Sequence, residues 1–346
     1  MALIHETTAA ERLNRVQQIL DRARRHYEPA LRDAVYALPE PLRRMAGYHF
    51  GWWDEEGRRI VGDPGKGLRA ALVLSTAVAC GGMLEDAIQA AAAVEILHNF
   101  TLIHDDIMDH DRTRRGRATV WAVWGVPSAI LLGDILHALA IRVVVDRYQE
   151  PLSSRIVLLL SAASIELCRG QQDDCAFETK RDVTVDQYRR MVSGKTGSLV
   201  GAACEIGAVC AHADGEIVSA MEAFGRHLGM AFQFADDILG IWGNPMITGK
   251  PVGNDVVRRK RSLPILACLN LNNAAAWQLR ALFDTAEPIA NSDVRTVASL
   301  LERCGARQIA SDETQLELIR AIAMLPFGVT TDEILTLALG AANRVK

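Results

Sequence analysis

From Met83 to Arg115 the chain runs without a glycine or a proline and is rich in alanine and leucine. Lacking both residues that punctuate helices, a stretch of this length predicts one long helix, buried along much of its course. Residues 11–45 are charged and helical in period, with Leu13, Val16, Leu20 and Ala23 three or four apart. A turn-rich stretch follows, in which Gly57, Gly62, Pro64, Gly65 and Gly67 lie close together. Further helices are expected over roughly 128–148, 153–175, 184–210, 216–243 and 262–285, with others toward the end. There is no alternating strand pattern, no internal repeat and no linker long enough to mark a boundary, so the reading is a single all-α domain.

Apolar residues make up 49% of the chain, enough for a large core that needs no metal or disulfide staple. The net charge of −4 argues against a nucleic-acid partner. The seven cysteines form no Cys-x-x-Cys pair and mostly lie in apolar stretches, which reads as reduced core thiols in a cytoplasmic protein. The first residues lack the basic start and apolar run of a signal peptide. No apolar stretch reaches the roughly 18 residues of a transmembrane segment. The run 128–145 comes closest, but Asp134, His137 and Arg142 interrupt it, and it reads as a buried core helix.

Two acidic clusters stand out against this background. His104-Asp105-Asp106-Ile107-Met108-Asp109 lies near the end of the long helix, where Asp105 and Asp109 share a face. Like charges on one face repel, and the helix dipole also disfavours anions at that end. A solvated helix end is the plain alternative, but the flanking Phe100, Leu102, Ile103, Ile107 and Met108 are apolar. Carboxylates held in apolar surroundings need a cation, and oxygen-only ligands suit magnesium. Phe232-Gln233-Phe234-Ala235-Asp236-Asp237-Ile238-Leu239-Gly240 repeats the design about 130 residues later. Two such clusters in an apolar helical chain read as two walls of one cavity.

Basic residues near turns narrow the chemistry. Gly65-Lys66-Gly67-Leu68-Arg69 opens a helix, Arg114-Arg115-Gly116 follows the first acidic cluster, and Lys195-Thr196-Gly197 sits in the middle of a helical region. Gly249-Lys250-Pro251-Val252-Gly253 and Lys260 follow the second cluster. Arginine forks bind phosphate oxygens in pairs and lysine supplies a compact charge. Singly, each reads better as a solvated surface charge; their joint order carries the weight.

With these motifs in this order, the chain resembles the trans-isoprenyl diphosphate synthases, the polyprenyl synthetase family, over roughly residues 60 to 270 and beyond. The family's DDxxD stands as Asp105-Asp106-Ile107-Met108-Asp109, followed by its arginine pair, Arg114 and Arg115. Its GKxxR matches Lys66 and Arg69, its E-x-x-H matches Glu95 and His98, and its KT matches Lys195 and Thr196. Its GQxxD matches Gly170, Gln171 and Asp174, its FQxxDD matches Phe232, Gln233, Asp236 and Asp237, and its GKPxGxD matches Lys250 and Asp255. Three positions depart: Gly240 stands for a third aspartate, Ala70 for a proline and Trp121 for a histidine. With the first two aspartates kept, restoring Asp at 240 is expected to change activity little.

The resemblance implies one polyprenyl synthetase domain over 1–346, a helical bundle around a central cavity, with 1–60 as an N-terminal helical extension packing on the core. It implies a cytoplasmic homodimer acting on small diphosphates with several Mg2+ ions. Asp105, Asp109 and Asp236 would hold magnesium, and Asp106 and Asp237 would act through metal-bound water. Arg114, Lys195, Thr196, Gln233, Lys250 and Lys260 would bind the allylic diphosphate. Lys66, Arg69, His98 and Arg115 would hold isopentenyl diphosphate without metal. The implied reaction is ionisation of the allylic diphosphate, attack by the alkene of isopentenyl diphosphate, and proton loss. Phe100, five residues before Asp105, with Leu97 and Thr101 beside it, would floor the product tunnel. Geranylgeranyl diphosphate is then the expected product and farnesyl diphosphate the next. A class I terpene cyclase has no GKxxR site, and a non-catalytic partner subunit usually loses an acidic motif, so both rank lower.

Overall fold

The structure, a computed structural model, describes residues 9–180, 182–243, 253–283, 289–290 and 292–342. Among the described residues the regular structure is helical apart from one small hairpin and an isolated bridge between Trp53 and Arg59. They fall into two compact units: residues 1–164, 202–222 and 325–337 in the first, and residues 165–201, 223–324 and 338–346 in the second. The divisions fall inside helices, except the one after Met324, which falls at a helix end.

In the first unit α1 (Ala9–Tyr36) buries one stripe, Ile19, Leu20, Ala23, Tyr27, Leu31 and Val35, at the three- and four-residue spacing of an amphipathic helix. Its first turns are solvated, and Leu13 is exposed. After α2 (Leu42–His49) and α3 (Leu68–Ala79) comes α4 (Leu84–Met108), the long helix at the centre of this unit, packed on α1, α3 and α6 (Val126–Arg147). Ala87 and Ala90 to Ala93 are fully buried, and these small side chains let the neighbouring helices approach closely.

The helix α4 stops short of the expected Arg115. Asp105, Asp106 and Asp109 gather at its electronegative end, His110 takes a left-handed conformation (φ 54°), and the ladder is not resumed. Instead β1 (Thr113–Arg114) and β2 (Arg117–Ala118) pair antiparallel across Arg115-Gly116. Both turn residues have positive φ (51° and 73°), the signature of a tight two-residue hairpin, and Arg115 adopts it despite its side chain. After α5 (Val120–Trp124), α6 buries Leu132, Leu136, Ala140 and Val144 but exposes Ile130, Leu131 and Val145. By length and composition alone it could cross a membrane, a test that a core helix also passes, and 44% of its apolar window is buried.

The second unit takes in the second half of α7 (Leu152–Phe177), α8 (Val185–Val192), the start of α9 (Ser198–Cys210) and most of α10 (Gly215–Trp242). A capping box, Thr184 with Gln187, starts α8. Between α8 and α9 the backbone widens into a π-helical turn over Ser193–Gly197. The helices α11 (Asn254–Val257), α12 (Leu263–Leu269), α13 (Ala274–Phe283), α14 (Val294–Arg303) and α15 (Ala306–Met324) follow, and α16 (Asp332–Ala342) closes the described chain. The one helix expected over 262–285 is two, separated at Asn270–Asn273.

Buried Glu317 of α15 gathers Arg189 of α8, His227 of α10 and Arg320 of its own helix. A buried carboxylate needs such partners, and this one ties three helices together. The reading of all seven cysteines as reduced thiols is corrected here: Cys268 of α12 and Cys304 after α14 are bonded to each other, and the other five form no disulfide. Their α-carbons lie 5.5 Å apart, within disulfide reach. They are 36 residues apart in sequence, so no local pattern announces the pairing.

Candidate active site

The glycine-rich segment before α3 is shaped by what presses on it. Gly65 (φ 84°) leaves room for the Arg115 guanidinium, which a Cβ would overlap. Gly67 (φ 64°) caps α3 and leaves room for the Tyr27 hydroxyl. Here glycine is required both for backbone conformation and for close approach. Asp63 accepts the Gly65 amide at 2.8 Å, and Arg24 of α1 donates to the Gly65 carbonyl.

Three of the four residues expected to hold isopentenyl diphosphate meet around this segment. Arg69 Nη1 lies 3.1 Å from His98 Nε2. Desolvation and the nearby Arg69, Arg115 and Arg114 hold His98 well below the usual imidazole range, so the neutral ring accepts from Arg69. One turn before His98, burial raises the Glu95 carboxyl against the pull of Arg69 and Arg115. Asn99 donates to Glu95 at 3.2 Å and accepts from His49 at 3.1 Å. Burial and the arginines push His49 down to about 3, so it too is neutral. Lys66, the fourth, is exposed on the segment itself.

At the end of α4, Asp105 and Asp109 are partly exposed, whereas Asp106 is buried. Arg114 donates to Asp106 Oδ1 through Nε at 2.8 Å and Nη2 at 2.7 Å, and Asp106 Oδ2 is buried without a hydrogen-bond partner. Burial lifts Asp106 to about 6 even against Arg114. Phe100, one turn and a residue earlier, is buried with its ring edge-on to His104 and His137 at 5.0 and 5.1 Å. Leu97 and Thr101 beside it are buried, and Thr101 donates to the His98 carbonyl at 2.7 Å.

The second unit repeats the pattern of one partly exposed and one buried aspartate. Asp236 is partly exposed; Asp237 is buried and accepts from Tyr188, from the Leu263 amide at 2.9 Å and from Gln233 at 3.1 Å. Burial outweighs these donors and lifts Asp237 to about 7. Gln233 also accepts from Thr196 at 3.0 Å, so the Lys-Thr motif and the second acidic motif are one hydrogen-bonded chain. Lys195 donates to Asp174 at 2.5 Å, uniting the GKT and GQxxD matches. Gly170 makes this possible, because a Cβ there would overlap the Lys195 backbone. The π-helical turn therefore falls on the motif, a common association of such turns with function.

Gly240 also has a visible reason: the Asp255 carboxylate occupies the space its Cβ would fill. The Asp255 carbonyl accepts the Lys260 amide at 2.9 Å. Lys250 lies outside the described residues. Sequence reasoning missed Arg24, Tyr188, His49 and the Leu263 amide. They lie far along the chain from the residues they serve, and no motif of their own marks them.

The donors at both acidic motifs are oxygen-only, which fits magnesium, and the unpartnered Asp106 Oδ2 fits a site lacking a positive group. Among the described residues no three His, Cys, Asp or Glu side chains are gathered into a metal cage. An ion here would therefore take further oxygens from substrate or water, as magnesium does on phosphate substrates.

A family model described as polyprenyl synthetase matches residues 51–301. Over 320 residues the chain is 47% identical to a geranylgeranyl diphosphate synthase of Mycobacterium tuberculosis, covering 92% of this chain and 91% of that protein. It is 41% identical over 314 residues to a (2E,6E)-farnesyl diphosphate synthase of Mycobacterium bovis, covering 90% and 87%. The crystal structure of a polyprenyl synthetase from Streptomyces coelicolor A3(2) superposes with a TM-score of 0.88 at 38% identity, covering 94% of this chain and 99% of that one.

Proposed function

The chain belongs to the polyprenyl synthetase family and is a prenyltransferase, and from that premise we propose that it condenses isopentenyl diphosphate with an allylic diphosphate to make geranylgeranyl diphosphate. One observation carries the two-substrate reading. Helix α4 bears His98 of the basic cluster and, seven residues on, Asp105 of the acidic motif. Two turns of helix separate them by about 10 Å, room for two diphosphates held by different chemistry. A cyclase, which ionises a single diphosphate, has no use for the first cluster.

In this reading Lys66, Arg69, His98 and Arg115 hold isopentenyl diphosphate. Arg114, Lys195, Thr196, Gln233, Lys250 and Lys260 bind the allylic diphosphate. Asp105, Asp109 and Asp236 hold the magnesium ions, which when bound neutralise charge on the departing diphosphate. Asp106 and Asp237, buried and held by Arg114 and Tyr188, keep their motifs in place and reach metal only through water. The basic side chains stabilise charge that grows on the leaving oxygens, so they favour the transition state over the ground state. Apolar Leu97 and Phe100 keep water from the allylic cation, and Phe100 floors the product tunnel. We further propose one catalytic domain over residues 1–346, with 1–60 as its N-terminal extension, acting as a homodimer in the cytoplasm. The five cysteines that form no disulfide support that compartment.

The test is incubation with isopentenyl diphosphate, magnesium and a dimethylallyl, geranyl or farnesyl primer, with products identified by chromatography. Geranylgeranyl product supports the reading, and a farnesyl product favours the alternative shared with the 41% identical relative. Hydrocarbon from a prenyl diphosphate alone would mean a cyclase, and inactivity a partner subunit.

A further inference from the structure

Two side chains of α1, Arg24 and Tyr27, lie three residues apart and therefore on one face. Both reach the same short segment, Gly65-Lys66-Gly67: Arg24 donates to the Gly65 carbonyl, and the Tyr27 hydroxyl packs where a side chain at 67 would stand. The Arg115 guanidinium also packs against Gly65, in the space a Cβ there would fill. Arg24 and Arg115 thus converge on one residue of the segment. Each keeps a buried nitrogen, Arg24 Nε and Arg115 Nη1, without a hydrogen-bond partner among the described residues.

A carbonyl can be tied down by any donor, and a neutral one would do so without electrostatic cost. Here a further cation is brought to a place that already holds Lys66, Arg69 and Arg115, and Arg24 and Arg115 repel each other. Buried Glu95 lies in the field of Arg24, Arg69 and Arg115 and offsets part of that charge. Gathering like charges opposes folding unless an anion answers them, and a diphosphate brings several negative charges and many acceptor oxygens. Given the synthase reading, we propose that Arg24 is a positioning residue for the metal-free isopentenyl diphosphate site: it holds the Gly65 carbonyl, sets the place of Lys66, and adds its charge to those of Lys66, Arg69 and Arg115. The N-terminal helix is then part of substrate recognition.

The experiment compares wild type, Arg24→Ala, Arg24→Gln and Arg24→Lys. Isopentenyl diphosphate binding is measured by titration calorimetry in EDTA, both Michaelis constants by steady-state assay with magnesium, and Tm without ligand. Arg24→Ala should weaken isopentenyl diphosphate binding about tenfold or more and raise its KM alike, as loss of a charged hydrogen bond predicts. The allylic KM should stay within about twofold, ligand-free Tm should hardly move, and Arg24→Lys should restore much of the binding. Unchanged binding in Arg24→Ala, or equal rises in both Michaelis constants, overturns the assignment. Should the alanine variant not fold, Arg24→Gln decides. It keeps a donor for Gly65 and loses the charge, so wild-type binding by it also overturns the assignment. Arg24-dependent binding in EDTA by a wild type that forms no product would support Arg24 as a diphosphate residue while refuting the synthase activity. No binding in EDTA by a wild type that forms product refutes the Arg24 assignment alone, and no binding with no product refutes both.

Discussion

Restoring the missing third aspartate of the second acidic motif, by Gly240→Asp, should damage the protein rather than leave it unchanged. Reasoning from the motif alone, the two remaining aspartates suffice and an added carboxylate has nothing to do. The structure shows instead that the Asp255 carboxylate already fills that space, close enough to overlap a Cβ at 240. Consider Gly240→Ala first. Replacing a glycine inside α10 gains about 1 kcal/mol of helix propensity, and turning Asp255 out of its rotamer costs about 0.5–1.5 kcal/mol. The two nearly cancel, but a displaced Asp255 also loses a polar contact of its own, worth about 1 kcal/mol, so the alanine variant should be about 1 kcal/mol less stable than wild type. Aspartate adds a second carboxylate beside the first. At 4 Å and an effective dielectric of about 20, two charges repel by about 4 kcal/mol, which partial exposure and protonation reduce. We expect Gly240→Asp to lose about 2–4 kcal/mol, read by urea unfolding in EDTA at pH 7, and to lose turnover as Asp255 is displaced. Adding Asp255→Asn should recover most of the stability, since it removes the repulsion but keeps the shape. A Gly240→Asp protein as stable as wild type, or a double variant no better than the single one, would refute the reasoning.

Asp105→Ala and Asp236→Ala should each lower turnover by orders of magnitude with Tm held, because each removes a metal-facing carboxylate and relieves like-charge repulsion. Near-normal turnover in the Asp236 variant would deny that motif a metal role. Lys66→Ala or Arg69→Ala should raise KM for isopentenyl diphosphate far more than for the allylic primer, and steady-state titration of both substrates shows whether the effects are equal instead. Phe100→Ala should lengthen the product, seen by chromatography, while costing about 3–5 kcal/mol because the ring is buried against His104 and His137. An unchanged spectrum from an active variant would place the floor elsewhere. Reducing the Cys268–Cys304 bond, or replacing both residues by serine, should cost about 4 kcal/mol for a closed loop of this length, and a Tm indifferent to dithiothreitol would contradict it.

Much of this protein is determined along the chain itself. Helical period, together with abundant alanine and leucine and only 5% aromatic residues, specifies an all-α protein, because a helix satisfies its backbone within one segment and needs only an apolar stripe to pack. The motifs are legible for the same reason: Asp105 and Asp109, Lys66 and Arg69, or Lys195 and Thr196 are local spacings that a helix or turn converts directly into geometry. Contacts between distant segments carry no such period. Nothing near Arg24 says that it will meet Gly65, and nothing near Tyr188 points to Asp237. No spacing pairs Cys268 with Cys304 or seats the Asp255 carboxylate in the space left by Gly240. The end of α4 lies between these cases. Its crowded carboxylates can be read from sequence, but only the hairpin that returns Arg114 to Asp106 fixes where the helix must stop. Which aspartate of each pair is buried and which faces outward was likewise decided by tertiary packing, because burial depends on what the rest of the chain brings to that spot.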